Sequence, residues 1–478
     1  MQDIQVYNTL TKRKEIFHPL QTGKVGIYVC GVTPYNHPHI GNARPFVTWD
    51  VIHRFLEYCG YEVHHVQNFT DVDDKIIQAS RLGGRTWEVV SQENIDAYFE
   101  AMDALHVRRV DRYPRVSDHI FDIIAMIGEL INKGHAYTLH GDVYYDISTF
   151  PKYGELSGRS VEDMLAGARV EVDGDKRNPG DFALWKAAKP EEPAWDSPWG
   201  KGRPGWHIEC SAMSTKYLGE TFDFHGGGSD LIFPHHENEI AQSEGCTGHR
   251  FVNYWVHNGF ITINQEKMSK SLDNFFLVKD ILVHYSADAL RFFLISTHYR
   301  SPLDFSDDRL QEAERTLERI DGAVQKAKFR LTQAGDMENE FAQSLYTDAK
   351  AARVDFVSAM SDDFNTAMAI GVLFTFVRRL NTYLAEETEF DRTALQEALT
   401  VLREMTEILG ILPQIWEDSG STDADAYREL MTVILQVREE ARSQKQYAVA
   451  DAIRDRLQEI GITLEDGPEG TVWTQSEV

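Results

Sequence analysis

Cys30-Gly31-Val32-Thr33-Pro34-Tyr35-Asn36-His37-Pro38-His39-Ile40-Gly41-Asn42-Ala43-Arg44 joins two segments of opposite periodicity. Before it, the unbroken apolar run 25–29 reads as a strand buried on both faces. After it, Val47, Val51, Ile52, Phe55 and Leu56 recur at helical spacing until Gly60. A strand, a glycine-bearing turn and a helix amino terminus together make an anion site, because the first N–H groups of a helix lack intrahelical partners. The imidazoles of His37 and His39 add donors suited to phosphate. Cys30, at the strand's end, adds a thiol that a phosphate loop does not need.

Outward from this stretch, a strand at 24–30, a helix from Asn42 and a strand at 62–67 form a β-α-β unit of a parallel sheet. Thr70-Asp71-Val72-Asp73-Asp74 opens another helix. Its acids suit caps, and Thr70, directly after a strand's carboxyl end, suits a substrate-facing role equally well. Helical patterns follow at 86–105 and 117–133, the second capped by Ser117 and stopped by Gly134; His140-Gly141 marks a hairpin. Between 148 and 205 Gly, Pro, charge and Trp185, Trp195 and Trp199 point to a loop-rich, partly mobile insertion. The sheet is expected to resume near Trp206-His207-Ile208-Glu209-Cys210. His225-Gly226-Gly227-Gly228-Ser229-Asp230 reads as a turn, Pro234-His235-His236-Glu237-Asn238-Glu239 as a helix start, and Gly245-Cys246-Thr247-Gly248 as a loop. A hairpin turning at Asn264-Gln265 then precedes Lys267-Met268-Ser269-Lys270-Ser271, and beyond about 306 the pattern is helical almost throughout. The expected division is 1–135 and 206–305 as two halves of the sheet domain and 136–205 as an insertion. A helical bundle at 306–416 and a small module at 426–478, with Arg438, Arg442, Lys445, Arg454 and Arg456, complete it.

At 478 residues the chain has room for three or so domains of about 150 residues each. Hydrophobic residues at 42% and charged residues at 26% suit a globular protein with large cores, and no run approaches membrane-spanning length. The first fifteen residues carry no secretory pattern, so a cytoplasmic location is expected. Cys30, Cys59, Cys210 and Cys246 form no C-x-x-C pair, which argues against a disulfide framework and obliges any metal site to draw on distant segments. The balance of 48 basic and 75 acidic residues, net −27, taken alone argues against nucleic-acid binding; RNA contact must then rest on local basic patches.

His235 and Glu239, four apart, share a helical face, and Cys30 and Cys210 each sit at an expected strand end. Two thiolates, an imidazole and a carboxylate make a tetrahedral zinc set, with His207 and His236 as competing ligands. Cys59 and Cys246 read as small apolar residues. Lys267 and Lys270 place two point charges for phosphate oxygens on one loop. Paired with the His39 turn, one at each end of the sheet domain, they can clamp a triphosphate and stabilise charge at the α-phosphorus as pyrophosphate leaves. The turn at 226–230 admits a flat ligand close to backbone, with Asp230 able to accept from ribose hydroxyls; a tight sheet-to-helix connection explains it equally.

His39-Ile40-Gly41-Asn42 resembles the HIGH motif of class I aminoacyl-tRNA synthetases, and Lys267–Ser271 matches their KMSKS motif. Cys30, Trp206–Met213, His225–Glu239 and Leu464–Trp473 are similar to the cysteinyl-tRNA synthetase family, and the likeness runs in order along nearly the whole chain. The resemblance implies an α/β fold: a Rossmann-type catalytic domain with an insertion, then a stem-contact region and a helical carboxyl-terminal region that reads the anticodon. It implies zinc on Cys30, Cys210, His235 and Glu239, with the thiolate of L-cysteine joining the metal and serine rejected without an editing domain. It places cysteine's ammonium and carboxylate near Thr70 and Trp206. ATP with Mg2+ is then held by His39, Gly41, Asn42, Gly228, Asp230, Lys267 and Lys270, and cysteine passes to the terminal ribose of tRNA(Cys). Asn42 stands where the motif has its second histidine; its amide can donate to phosphate but carries no positive charge. Pro34 and His37 also depart from the family's sequence. Two rival readings are an amino-sugar–cysteine ligase of the mycothiol-biosynthesis type, which lacks an anticodon-reading tail, and a non-catalytic zinc protein that binds RNA. The 426–473 module speaks against the first, His39 and the two lysines against the second. A monomer is expected.

Overall fold

The computed structural model describes residues 3–159, 175–263, 266–267, 275–336, 339–387, 389–417, 423–467 and 470–475. Its centre is a parallel sheet of β1 (Lys24–Val32), β2 (Glu62–Phe69), β3 (Phe222–Gly228) and β4 (Val252–Asn258), in spatial order β4-β3-β1-β2. Helices cover both faces, as the continuous apolar strands require. α1 (Ile40–Tyr58) packs on one face; α2 (Ile208–Leu218) and α3 (Glu237–Thr247) pack on the other. Side chains alternate along β1, so Val25, Ile27 and Val29 join the α1 core while Tyr28 and Cys30 join the core of α2 and α3. That alternation decides which face receives the thiol.

Several expected elements take a different form. Trp206–Cys210 does not continue the sheet: Ile208 begins α2, and Cys210 lies in its first turn rather than at a strand end. Ile208, Ala212 and Met213 are buried together, a helical spacing that the short apolar opening of the stretch conceals. Gly226, Gly227 and Gly228 form the end of β3 rather than a turn. A Cβ on Gly226 would lie 2.0 Å from the Trp49 ring, so the glycine lets α1 approach the sheet. Ser117 caps no long helix; it sits in a short turn and donates its N–H and hydroxyl to Asp71, while the helix Ile120–Asn132 starts after His119. Cys246 belongs to the last turns of α3.

The hairpin strands Ala136–Leu139 and Asp142–Tyr145 join Phe182–Ala187 and Gly202–Pro204, from the segment expected to be loop-rich, in one antiparallel sheet in that order, and residues 160–174 lie outside the described residues. His140 and Gly141, with φ of 53° and 91°, make the expected two-residue connection. The turn expected at Asn264-Gln265 also lies outside the described residues, but Ile261–Ile263 and Glu266–Lys267 on either side pair antiparallel.

Four long helices follow: Asp307–Gln333, Glu340–Ser361, Thr366–Glu386 and Arg392–Leu409. Arg291, buried, ties them to α1. Its Nε donates to Leu409 O at 2.8 Å, its Nη1 to Leu105 O at 2.8 Å, and its Nη2 pairs with Asp50. The chain ends in helices Asp423–Ser443 and Tyr447–Glu459 and a hairpin of Ile462–Gly467 with Gly470–Gln475. Met431, Leu457 and Ile462 form its small core.

Candidate active site and metal centre

At the carboxyl end of β1, Cys30 meets the first turns of α2 and α3. Cys30 Sγ lies 3.7 Å from Cys210 Sγ and 3.4 Å from Glu239 Oε1, and His235 Nε2 lies 3.0 Å from the same Glu239 oxygen. All four residues are buried, and their donor atoms lie within 4.8 Å of one another. In a tetrahedron with Zn–S bonds of about 2.3 Å, two sulfurs sit roughly 3.8 Å apart, so the Cys30–Cys210 separation suits two ligands of one ion. Glu239 Oε2 is engaged by His225 Nε2 at 2.8 Å, and His235 Nδ1 by His207 Nδ1 at 2.9 Å. Such outer contacts fix the rotamers of ligating groups. A second group of buried donors, Cys30, His225, His236 and Glu239, shares two members with the first. There, however, His225 Nε2 is already bonded to Glu239 Oε2. The two-thiol set is also the softer one, which favours zinc.

Burial raises the Cys30 thiol well above its usual range, with Cys210 adding to it. Burial would raise Cys210 too, but the Cys30 hydrogen bond and His235 bring it down to about 6. Burial likewise opposes the charged forms of Glu239 and His235. The histidines nonetheless lower Glu239 to about 2, and Glu239 with Cys210 raises His235 to about 10.

Around the cluster stand the residues read as facing substrate. Asn68 Oδ1 accepts from Gly31 N at 2.9 Å and lies 3.8 Å from Cys210 Sγ, while Asn68 Nδ2 donates to Thr70 Oγ1 at 3.3 Å. Gly31 has no alternative, since a Cβ there would fall 1.6 Å from Asn68 O. Thr70 Oγ1 donates in turn to Glu209 Oε2 at 2.9 Å. Glu209 is buried, and burial together with Cys210, Asp73 and Asp71 pushes its carboxyl well up. Trp206 is 42% exposed, with its ring 4.5 Å from that of His235.

The amino terminus of α1 is built by a capping box: Asn42 N donates to His39 Nδ1 at 3.2 Å, and His39 N donates to Asn42 Oδ1 at 3.4 Å. The residue that departs from the family's motif therefore caps the helix with its side-chain carbonyl oxygen. Accepting at Nδ1 leaves His39 Nε2 as the nitrogen that carries the proton. Arg44, one turn on, is buried and donates to the carbonyls of Gly259 at 2.8 Å, Phe260 at 3.0 Å and Ser301 at 2.7 Å, pinning α1 to the end of β4. Ile40 N donates to Phe276 O at 3.1 Å and Val278 N to Pro38 O at 3.0 Å, so the chain leaving the KMSKS stretch runs beside the HIGH stretch instead of at the far end of the domain. Lys267 pairs through its backbone with Thr262; Lys270 lies outside the described residues. Gly228 closes β3, and Asp230 follows on an exposed turn.

Sequence reasoning missed Glu209, Asn68, His225 and the fastening role of Arg44. Glu209 carried a signal, a lone acid among the apolar and small residues of Ile208–Ser214. Asn68 and His225 carried none, because their roles come from partners far along the chain.

Residues 16–315 match the model of the tRNA synthetases class I (C) catalytic domain, 355–413 the DALR domain, and 428–473 the cysteinyl-tRNA ligase anticodon binding domain. The fold is that of a solved methionyl-tRNA synthetase from Mycobacterium tuberculosis in complex with methionyl-adenylate, with a TM-score of 0.62 at 15% identity, covering 81% of this chain and 90% of that one. Sheet, capped α1 and trailing helices thus define a class I aminoacyl-tRNA synthetase. A cysteine–tRNA ligase of Pelotomaculum thermopropionicum is 53% identical over 98% of this chain and 99% of its own length. One of Heliobacterium modesticaldum is 50% identical over 99% of this chain and 100% of its own. The chain belongs to the cysteine–tRNA ligase family. The anticodon-domain match also disfavours the amino-sugar ligase reading.

Proposed function

We propose that this chain activates L-cysteine with ATP and transfers it to the 3′-terminal ribose of tRNA(Cys), selecting cysteine at a zinc centre of Cys30, Cys210, His235 and Glu239. The observation that carries the reading is the buried cluster, with its 3.7 Å sulfur pair, beside Thr70 and Trp206 at the carboxyl ends of the sheet strands. A zinc ion bound there supplies a thiophilic Lewis acid, to which a thiolate is a far better ligand than a serine hydroxyl.

The chain's own groups do the rest. Thr70 and Trp206 orient the amino acid so that its carboxylate faces the nucleotide. His39 Nε2, the Asn42 amide and the N–H groups near Gly41 receive phosphate at the α1 amino terminus, with Mg2+ accompanying ATP. Gly228 and Asp230 bound the nucleoside side. Lys267 and Lys270 balance charge developing at the α-phosphorus as the cysteine carboxylate attacks and pyrophosphate leaves. No protein nucleophile is required: positioning and charge stabilisation account for the catalysis.

Among the described residues no helix is long and apolar enough to cross a membrane. A cytoplasmic monomer, with an insertion at 136–205, a stem-contact bundle at 306–416 and an anticodon module at 426–478, completes the reading. Lys270→Ala should depress cysteine-dependent ATP–pyrophosphate exchange strongly while cysteine binding persists. Unchanged exchange would contradict the assignment of the loop.

A further inference from the structure

Glu209 is a buried carboxyl with one hydrogen bond and no ion pair among the described residues. Oε2 accepts from Thr70 Oγ1 at 2.9 Å, and no lysine, arginine or histidine among the described residues pairs with it. A buried carboxylate needs a cation or several donors, and among the described residues Glu209 has a single hydroxyl. A glutamine could accept the Thr70 hydroxyl equally well, so holding Thr70 does not explain the acid. Its position does. It is the residue before Cys210, and Thr70 links it through Asn68 back to Cys210 Sγ and Gly31 N.

We propose that Glu209 is the counter-charge for the α-ammonium of the amino acid. Its second oxygen and the remaining lone pair of Thr70 Oγ1 receive the ammonium, so the site reads cysteine at nitrogen as well as at sulfur. The assignment rests on the cysteine site proposed above. One Cα and one Cβ separate the sulfur of cysteine from its nitrogen, and on the protein side Cys210 and Glu209 are consecutive residues in the first turn of α2. A ligand whose sulfur joins the thiol cluster therefore carries its ammonium into reach of the carboxylate. That ammonium supplies the positive charge which Glu209 otherwise lacks.

The test is calorimetric titration of the full-length, zinc-loaded protein and its Glu209→Gln variant with three thiols. L-cysteine carries both polar ends, cysteamine lacks the carboxylate, and 3-mercaptopropionate lacks the ammonium. The Gln variant should bind cysteine and cysteamine about tenfold more weakly or worse, the loss of a charge-assisted hydrogen bond, while 3-mercaptopropionate changes by no more than about twofold. Glu209→Asp, which keeps the charge one methylene shorter, should fall between. The proposal is overturned if the Gln variant leaves cysteine binding unchanged, weakens all three ligands alike, or loses its zinc, since the last two mark a structural support of α2. A wild-type protein that binds none of the thiols would instead contradict the cysteine site itself.

Discussion

Each face of the central sheet buries acids, and Asp50 on one face and Glu209 on the other are treated in opposite ways. On the α1 face, Asp50 is saturated. It accepts from Arg54 Nε at 2.8 Å and from Arg108 N at 2.9 Å, and it pairs with Arg291, which also reaches the helical region through Leu409 O. On the α2 and α3 face, Glu209 has one hydroxyl and no cation among the described residues, and Glu239 shares its oxygens with histidines and the Cys30 thiol. Burial penalises a carboxylate equally on both faces. Asp50, answered by protein cations, fastens the fold; Glu209, answered by one hydroxyl, is left for a ligand. The contrast between Glu209 and Asp50 separates an acid left for a ligand from one that joins sheet and helices.

The largest consequence falls on the α1 face. Arg291→Met removes the cation and leaves Asp50 buried, so unfolding free energy should fall by about 3–5 kcal/mol in a denaturant titration. A loss below about 1 kcal/mol, the range of exposed ion pairs, would mean that the joint does not depend on this charge. On the other face, Cys210→Ser should leave the fold intact while zinc affinity falls by roughly a hundredfold or more, beyond what loss of an outer contact costs. Retention of stoichiometric zinc by that variant would remove Cys210 from the ligand set. His225→Gln, which loosens Glu239 without deleting a donor to the ion, should cost about tenfold to a hundredfold in zinc affinity and little stability.

A subtler distinction appears in acid. Burial alone would raise Asp50, but Arg291 and Arg54 hold it below its ordinary value of 3.8. A depressed carboxyl stabilises the fold above the unfolded value and ceases to do so as pH falls through the folded one. Wild-type stability should thus drop below about pH 4, and Arg291→Met should flatten that drop; an unchanged acid limb would contradict the pairing. The smallest effect is expected far from both faces. Among the described residues the terminal module has a small core of Met431, Leu457 and Ile462, stapled by Arg438 and Arg442 on Asp466. Truncation after residue 422 should therefore leave cysteine-dependent pyrophosphate exchange within about twofold, a negligible free-energy change, while charging of tRNA(Cys) collapses. A large loss of exchange would show the module acting on the catalytic chemistry.

The same contrast explains what could be read from the residues alone. Cys30, His39 and the strand–turn–helix around them were legible because strand and helix periodicity change within one short stretch. The arrangement of Cys30, Cys210, His235 and Glu239 was legible as a donor set although Cys210 sits on a helix and not on a strand: donor chemistry is independent of the element that carries it. Gly226 could not be read as a strand residue, because the reason for it is the Trp49 ring on α1. Nor could Arg438 be sorted from the exposed bases near it. It is buried against Asp466 and holds the module's hairpin to its helix, a role fixed by a partner and not by local pattern. Glu209 stood out as a lone acid in its stretch, but its partner Thr70 lies far along the chain and could not be read beside it.

The central claim, selection of the amino acid at a buried metal, is tested most directly by following ATP–pyrophosphate exchange with L-cysteine and with L-serine while zinc is stripped by a chelator and then titrated back. The account expects cysteine-dependent exchange to vanish with the metal and to return in proportion to zinc, levelling at one ion per chain, with serine inactive throughout. A metal-free protein that still exchanges with cysteine at full rate and refuses serine would contradict it.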